Sequence, residues 1–352
     1  MKPVQHINIK EPIILTKILD NGSLLVVDAN TTIRYCNLKD FEAMGGFKAN
    51  IKHMRYKNEV LAFSSDSNYF AAISSDEREA KLYDVTTKKA TAKMNRHQGE
   101  VSSIAIDAKN RYMLSGGDDG KTFAIDINSA KLAFTLPIHV DTVNDIVCSA
   151  NGNWIATASY DKKISLFNIA TMTPKEKFKG HAAPVMKLKF IANNRLVSVD
   201  KNANAFVWSV YSGKILSRLQ GIHDDVTRIV TSKDNRFLFL GTTLGYIIAY
   251  DLKSYELLSR NFIKVSSSIT ALEFDGTTNH LIIGTEKGDL LSYDIYEGEM
   301  LLHELLSERK YDDIIKQSDI NPFLAYTKIY ELVANLWDKT LAKAKLYLEK
   351  GD

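Results

Sequence analysis

The alternation of apolar and polar residues predicts short β-strands over most of the chain. Residues 142–169 read TVNDIVCSANGNWIATASYDKKISLFNI, in which alternating stretches are interrupted at Asn151-Gly152 and Asp161-Lys162. A more polar stretch follows in several places, such as AKLAFTL at residues 130–136. Each segment of roughly 40 residues therefore predicts three short strands and a more polar fourth. Similar turn signals occur at Asn21-Gly22, Asp66-Ser67, Lys109-Asn110, Asn193-Asn194, Asp234-Asn235 and Asp275-Gly276.

The strand pattern repeats with a period close to 42 residues. His97, His139, His181 and His223 are each separated by 42 residues. Four short strands per repeat of about 40 residues are typical of a propeller blade, so seven units from about residue 11 to residue 297 predict seven blades. The repeat is also visible in the penultimate residue of each unit, which recurs at nearly the same spacing: Cys36, Tyr83, Ile125, Phe167, Trp208, Tyr250 and Tyr293.

Dipeptides at the ends of the third strands connect these units to a known family. Gly180-His181 with Trp208-Ser209, together with Tyr83-Asp84, Ile125-Asp126, Tyr250-Asp251 and Tyr293-Asp294, resemble the histidine and Trp-Asp positions of WD40 repeats. The resemblance spans some 290 residues and implies an all-β, seven-bladed β-propeller over residues 1–297. It also implies that residues 4–9, which have no place in the first unit, form the outer strand of the last blade.

The resemblance further implies a structural hydrogen-bond network in the blades. Histidine, hydroxyl and carboxylate residues recur at the repeat period, so a catalytic interpretation would require several equivalent active sites, and we expect no catalytic residue. In the fifth unit Asn202 replaces the aspartate, and in units six and seven Leu240, Leu244, Ile283 and Lys287 replace network residues. The expected network contains His97, Ser115, Asp119, His139, Thr157, Asp161, His181, Ser198 and Trp208.

One segment imitates a phosphate-binding loop. Residues 115–122 read SGGDDGKT, which matches G-x-x-x-x-G-K-[ST] except that Ser115 replaces the first glycine. A phosphate loop leads into a helix whose N-terminus faces the anion, whereas KTFAIDI after this segment predicts a strand. We interpret the segment as a blade turn and expect no cofactor.

The chain from Gly298 to residue 352 has a different composition and predicts a C-terminal helical tail. Asn321-Pro322 is a helix start signal, and residues 307–350 are expected to be mainly helical. An apolar stripe resembles the start of an α-solenoid, and it can pack on the propeller, on a partner or on a second copy. The sequence does not decide among these, nor whether the chain is part of a longer one. The stripe contains Ile329, Leu332, Val333, Leu336 and Leu341, flanked by Tyr330 and Trp337.

Composition narrows the functional classes. The net charge of +3 is too small to indicate nucleic-acid binding, and two cysteines, Cys36 and Cys148, fit a reducing compartment. No apolar run is long enough for a secretory signal or a membrane span, so we expect a cytoplasmic protein. One histidine per blade is too dispersed for a shared metal ion.

These patterns predict a non-catalytic scaffold that binds other proteins. The resemblance implies a loop face, with Tyr160 as its aromatic anchor. The alternative is a small-molecule binder or enzyme using the central channel, although the predicted first strands VSSIAI, VNDIVC, VMKLKF and VTRIVT show no convergent set of acids, histidines or metal ligands. A weaker alternative is nucleic-acid binding through the basic segment 48–57, with Lys48, Lys52, His53, Arg55 and Lys57. The expected face contains Asp76, Glu100, Asp118, Thr142, Tyr160, Lys201, Asp225, Thr243 and Glu286.

Overall fold

Seven four-stranded antiparallel sheets confirm the all-β, seven-bladed propeller fold. The computed structural model describes residues 1–49, 51, 61–74, 76–175 and 178–350, with the backbone alone for residues 344 and 346–350. The basic segment 48–57 lies outside the described residues except for Lys48, Ala49 and Ile51, so the nucleic-acid alternative stays a prediction.

The first four blades follow one another along the chain. Blade one contains Ile13–Ile18, Leu24–Asp28, Thr32–Cys36 and Ala43–Lys48. Blade two contains Leu61–Phe63, Tyr69–Ile73, Ala80–Asp84 and Ala90–Met94. Blade three contains Val101–Ile106, Tyr112–Gly117, Thr122–Asp126 and Lys131–Thr135. Blade four contains Val143–Cys148, Trp154–Ser159, Ile164–Asn168 and Thr173–Pro174.

The remaining blades complete the ring. Blade five contains Val185–Ile191, Arg195–Asp200, Ala205–Ser209 and Ile215–Leu219. Blade six contains Val226–Thr231, Phe237–Thr242, Tyr246–Asp251 and Leu257–Lys264. Blade seven contains Ile269–Asp275, His280–Thr285, Asp289–Asp294 and, from the other end of the chain, Gln5–Asn8.

The first strand of each blade lines the centre of the ring. From blade two through blade seven and on to blade one, each first strand contacts the first strand of the next blade. Side chains near the start of these strands join neighbouring blades. Ser102 Oγ donates to Val143 O at 2.8 Å, and Asn144 Nδ2 donates to Val185 O at 2.8 Å. Thr270 Oγ1 donates in the same way from blade seven to blade one. Backbone carbonyls at the blade junctions are thereby satisfied by polar side chains.

The hydrophobic core lies between adjacent blades. Branched residues in the middle strands of one sheet pack against the facing side of the next sheet, because both faces of an inner strand are covered. Between blades five and six, Val197 and Val207 are packed with Leu238, Leu240 and Ile248, all fully buried. A ring of such interfaces makes each blade depend on both neighbours.

The N-terminal strand closes the ring in blade seven. Gln5–Asn8 pairs antiparallel with the last propeller strand, Asp289–Asp294, with Gln5 opposite Ser292 and Asn8 opposite Asp289. Two further backbone bonds extend the pairing, from Val4 N to Ser292 O at 2.7 Å and from Ile9 N to Gly288 O at 2.9 Å. Without this strand, the last strand of blade seven would present an unpaired edge.

Three α-helices and one 3-10 helix follow the propeller. Helix α1 spans Glu299–Ser307, α2 spans Tyr311–Ile320 and α3 spans Lys328–Lys350. The 3-10 helix Pro322–Tyr326 connects α2 to α3, so α3 begins six residues after the predicted start at Pro322. Among the residues that the structure describes, no helix is both long and apolar enough to cross a membrane.

Removal of the closing strand tests this arrangement. Deletion of residues 1–8 should lower the melting temperature by at least about 4 °C and promote aggregation, because it exposes the edge of blade seven. Deletion of residues 1–3, which precede the paired segment, is the matched control and should melt like the full chain. Equal melting temperatures for both deletions, measured by differential scanning fluorimetry, would contradict closure by this strand.

Candidate interaction surfaces

The turn segment SGGDDGKT belongs to blade three. Its last residue, Thr122, opens the third strand Thr122–Asp126 rather than a helix. Gly120 has φ of 72° and donates its N–H to Gly117 O at 3.1 Å, which closes a tight turn. Glycine is favoured there because a Cβ would lie 2.2 Å from His139 O. The glycines therefore serve a turn that packs on the next inter-blade loop.

Histidine networks in blades three and four connect each inter-blade loop to that turn. His97 Nδ1 lies 3.1 Å from Asp119 Oδ1, and His97 Nε2 lies 2.9 Å from Ser115 Oγ. In blade four, His139 lies 3.0 Å from Asp161 Oδ2 and 2.9 Å from Thr157 Oγ1. Both imidazoles and both hydroxyls are buried, so each polar group is satisfied by another.

Each aspartate is also held by the backbone. Asp119 accepts from Gln98 N at 2.9 Å and from Lys121 N at 3.1 Å. Burial acts to raise the pKa of Asp119, but these bonds and the one from His97 hold it below its ordinary value. The aspartate is therefore an ionised acceptor that fixes loop geometry, a structural role that recurs in the next blade.

In blade five, the carboxylate that contacts the histidine comes from a different position in the sequence. We expected Asn202 to leave the network without an aspartate, and this was wrong. His181 Nδ1 lies 2.9 Å from Asp200 Oδ2, two residues earlier, while His181 Nε2 lies 2.6 Å from Ser198 Oγ. Trp208 Nε1 donates to the same hydroxyl at 2.7 Å.

Asp200 reaches the imidazole because of where its Cβ lies. The matching position in blade three is Gly117, where an added Cβ would lie 2.5 Å from His97 Nδ1. An aspartate at this strand end thus points directly at the histidine ring. Asp200 also accepts from Asn202 N at 2.9 Å and Asn204 N at 3.0 Å, so it replaces the usual turn aspartate in both functions.

Blades six and seven stabilise their loops differently. Leu240 and Ile283, which replace network residues, are fully buried at the hydroxyl positions, so apolar packing takes the place of the hydrogen bonds there. His223 is exposed, and its neighbour Asp224 instead accepts from Leu244 N at 2.7 Å. In blade seven, Asp289 accepts from Asn8 Nδ2 at 2.8 Å, which adds a side-chain contact to the closing strand.

The expected loop face is largely exposed. Asp76, Asp118, Tyr160, Lys201, Asp225, Thr243 and Glu286 are exposed, whereas Glu100 and Thr142 are half-buried. Backbone bonds hold residues of adjoining loops together, for example from Tyr160 N to Thr142 O at 2.9 Å and from Thr243 N to Asp225 O at 3.0 Å. The carboxylate of Asp76 accepts from Ser74 Oγ and Arg78 N within its own turn.

Tyr160 and Lys201 form a contact between blades four and five on this face. Lys201 Nζ donates to Tyr160 Oη at 2.9 Å and lies 5.3 Å from the centre of its ring. Tyr160 nevertheless keeps 38% of its surface exposed. The ring is therefore both oriented and accessible, a combination that suits an interface anchor.

The tail is attached to the propeller by a segment that sequence reasoning did not single out. Phe323, in the 3-10 helix, is fully buried against three rings of blade six. Its ring centre lies 4.8 Å from that of Phe237, 5.5 Å from that of Phe239 and 4.6 Å from that of Phe262. An aromatic residue buried this deeply makes the 3-10 helix part of the propeller core.

Polar contacts surround this anchor. Asn321 Nδ2 donates to Ile295 O and to Glu297 O, both at 3.0 Å, and its Oδ1 accepts from Phe323 N at 3.1 Å. Arg236 lies 4.7 Å from the Tyr326 ring centre. Burial, followed by a hydrogen bond to Asp251, raises the pKa of Tyr326 to about 12.

The apolar stripe of α3 is divided between two environments. Val333 is buried, and Ile329 and Tyr330 pack with it against α1 and α2. On the other side Leu332, Leu336, Trp337 and Leu341 are 52%, 48%, 50% and 48% exposed. Part of the stripe therefore stabilises the tail, and the remainder is an apolar surface on α3. A groove of about 490 Å³ along it is lined by Tyr311, Val333, Leu336, Trp337, Thr340 and Leu341.

Charged side chains, most of them basic, lie in the central channel, a cluster that the expectation of no convergent acids, histidines or metal ligands did not cover. Asp145, Lys187 and Arg228 occupy the third position of the first strands in blades four, five and six. Two positions further along these strands lie Lys17 in blade one, Lys189 in blade five and Glu273 in blade seven. The recurrence of charges at matching repeat positions was the sequence signal for this cluster.

The channel charges are half-buried, and some of them contact other blades. Asp145 Oδ2 accepts from Leu188 N at 2.8 Å, and Arg228 donates to Ile14 O of blade one at 3.4 Å. Burial raises the pKa of Asp145 to about 6 and lowers that of Arg228 to about 10. Burial also lowers the pKa of Lys187 well below its ordinary value. Within the described residues, no group of three His, Cys, Asp or Glu is placed to hold a metal ion.

Comparisons with known proteins agree with this architecture. A family model described as "WD domain, G-beta repeat" matches residues 88–123 and 130–168. The "WD repeat-containing protein 55 homolog" of Drosophila persimilis is 21% identical over 47% of this chain and 33% of its own length. "Protein NEDD1" of Homo sapiens is 25% identical over 67% of this chain and 36% of its own length.

The chain is therefore a seven-bladed β-propeller that contains two segments matching the WD40 repeat model and that is similar to WD repeat-containing proteins. The chain spans about a third of the length of the curated relatives that it matches. The similarity to these WD repeat-containing proteins favours a protein-interaction scaffold, because binding residues often lie on loops that a rigid framework positions.

Blade five offers a direct test of the histidine network. Asp200→Ala should destabilise the protein by about 1–3 kcal/mol, because it removes the acceptor shared by His181 and the turn N–H groups. Asn202→Ala is the matched control and should cost less than about 0.5 kcal/mol, since Asn202 is exposed and contributes its backbone N–H to the network. Urea unfolding measures both, and equal losses would contradict the assignment of Asp200.

The two environments of the tail can also be separated. Phe323→Ala should destabilise the protein by about 3–5 kcal/mol, because it leaves a cavity between three rings of blade six. Leu336→Asp should leave the melting temperature of the propeller unchanged within about 2 °C, because Leu336 is half exposed. A large loss of stability from Leu336→Asp, measured by calorimetry, would show that the stripe is covered within the chain.

Proposed function

We propose that this protein is a non-catalytic, cytoplasmic scaffold that binds other proteins through the propeller loop face and the exposed side of α3. The observation that carries the proposal is the Tyr160–Lys201 pair, which joins two blades and leaves an oriented aromatic ring accessible. Tyrosine is enriched among residues that dominate interface energies, because a rigid ring covers a large area at little entropic cost.

Two features of the face support recognition of a protein. Its exposed residues come from several blades and carry mixed charge, including Asp118, Lys201 and Glu286. The histidine networks hold the neighbouring loops by hydrogen bonds, so binding requires little ordering of the loop backbone. The recurrence of these networks from blade to blade supports a structural role for residues that could otherwise suggest a hydrolase.

The exposed side of α3 supports a second contact. Leu332, Leu336, Trp337 and Leu341 form an apolar surface on a helix whose base is fixed to blade six by Phe323. A partner helix laid along this surface would bury residues at the spacing that helix recognition uses. Self-association through the same surface is the alternative, and the partner's identity stays open.

Capture experiments with single variants test the loop face. Tyr160→Ala and Lys201→Ala should each reduce partner capture from native lysate at least tenfold while leaving the melting temperature unchanged, because both side chains are exposed. Tyr211→Ala is the matched control, since Tyr211 is 65% exposed on the turn between the outer strands of blade five.

Quantitative mass spectrometry of captured proteins gives the readout. Loss of the same proteins with Tyr160→Ala and Lys201→Ala, but not with Tyr211→Ala, is the expected result. Unchanged capture by both face variants would contradict the loop-face proposal. Leu336→Asp provides the corresponding test for α3, because a folded variant that retains every captured protein and the wild-type oligomeric state would contradict a tail contact.

A further inference from the structure

The central channel opens into a cavity at the end opposite the proposed loop face. The loop-face residues Thr142 and Asp225 precede the first strands of their blades, whereas the cavity is lined where first strands end and turn outward. Its volume is about 660 Å³, within the range of small-molecule sites. Its wall comes from blades one, three, four, five and six, with one residue of blade two.

The charges around this cavity are predominantly positive. Lys17, Lys189 and Lys233 line it, and Asp20 is the one carboxylate among its described lining residues. The channel above it adds Lys187 and Arg228 against Asp145 and Glu273. Taken together, the mouth and channel hold five cations and three carboxylates, so positive charge is in excess.

Burial acts against the cations at this cavity, and the carboxylates beside them offset part of that cost. Burial lowers the pKa of Lys17, and the ammonium group of Lys189 also lowers it, whereas the carboxylates of Glu273, Asp20 and Asp66 raise it. Glu273 is the carboxylate that both lysines share, and burial raises its own pKa. A bound anion would add negative charge beside Lys17, Lys189 and Lys233, and the half-burial of Lys17 and Lys189 would strengthen its attraction to these two lysines relative to bulk water.

We propose that this cavity binds a compact polyanion carrying phosphate groups. Lysine is a common point-charge partner of phosphate, and three lysines from separate blades surround one opening. Phe190, which is buried, contributes the one aromatic ring among the described lining residues, so the site offers no stacking surface for a nucleobase. The chemistry favours a linear polyphosphate or a phosphorylated polyol over a nucleotide.

Isothermal titration calorimetry of the full chain with sodium tripolyphosphate tests the proposal. Wild-type protein should bind with one-site saturation, and affinity should fall steeply as salt rises from 50 to 200 mM, as for other contacts between lysines and phosphates. Lys189→Gln and Lys17→Gln should each weaken binding at least tenfold. Lys162→Gln is the matched control, because Lys162 is an exposed lysine in the turn after Asp161, at the other end of the propeller.

Two further experiments distinguish the chemical form of the phosphate ligand and test whether a loss of binding reflects unfolding. Fructose 1,6-bisphosphate replaces tripolyphosphate in one arm, and stronger binding of either identifies which form of phosphate the cavity prefers. Lys189→Arg should retain binding, so a loss with Lys189→Gln alone excludes unfolding as the cause. Absence of saturable binding to both probes, or equal weakening by Lys162→Gln, would overturn the proposal. Preferential binding of a polyglutamate peptide would likewise overturn it, since it would assign the site to an acidic protein segment.

Discussion

The pairing of the first strand of the chain with the last strand of the propeller is the constraint on which the structure depends. Gln5–Asn8 and Asp289–Asp294 lie at opposite ends of the repeat array, and their hydrogen bonds convert a row of sheets into a ring. In a ring every blade packs on two neighbours, so the core between blades is continuous and no sheet edge remains open at the junction. Hydrogen bonds from Ser102, Asn144 and Thr270 to carbonyls of the next blade also hold neighbouring blades together.

This rigidity explains how the functional surfaces are arranged. Loops at one end of the channel are held by buried imidazole–carboxylate pairs, so Tyr160 and Lys201 are presented on a fixed frame. At the rim, Phe323 inserts into blade six and fixes the base of the tail, while the outer side of α3 keeps half-exposed apolar residues. Closure of the ring also brings the charges of the first strands into one central channel, where burial raises the pKa of Asp145 and lowers that of Lys187.

Much of the fold could be predicted because a blade repeats local information. The period of 42 residues, the turn signals and the spare N-terminal strand together define seven blades without any long-range contact. What escaped prediction depends on contacts between distant residues or on small shifts within a turn. Asp200 replaces a turn aspartate because a side chain at that strand end points at His181, which spacing alone does not show. Phe323 packs on Phe237 and Phe262, which lie some 60 to 90 residues earlier in the sequence. No pattern within the tail indicates that Phe323 is the residue that attaches it.

The central claim is that the loop face, held rigid by the closed ring, binds protein partners. Site-specific photo-crosslinking measures this most directly, with a photoreactive phenylalanine placed at Tyr160 and, as control, at Tyr211 on the outer rim of blade five. The account predicts discrete cross-linked protein bands in native lysate from position 160 and none of those bands from position 211. Identical cross-linking patterns from the two positions, or no protein cross-link at position 160, would contradict it.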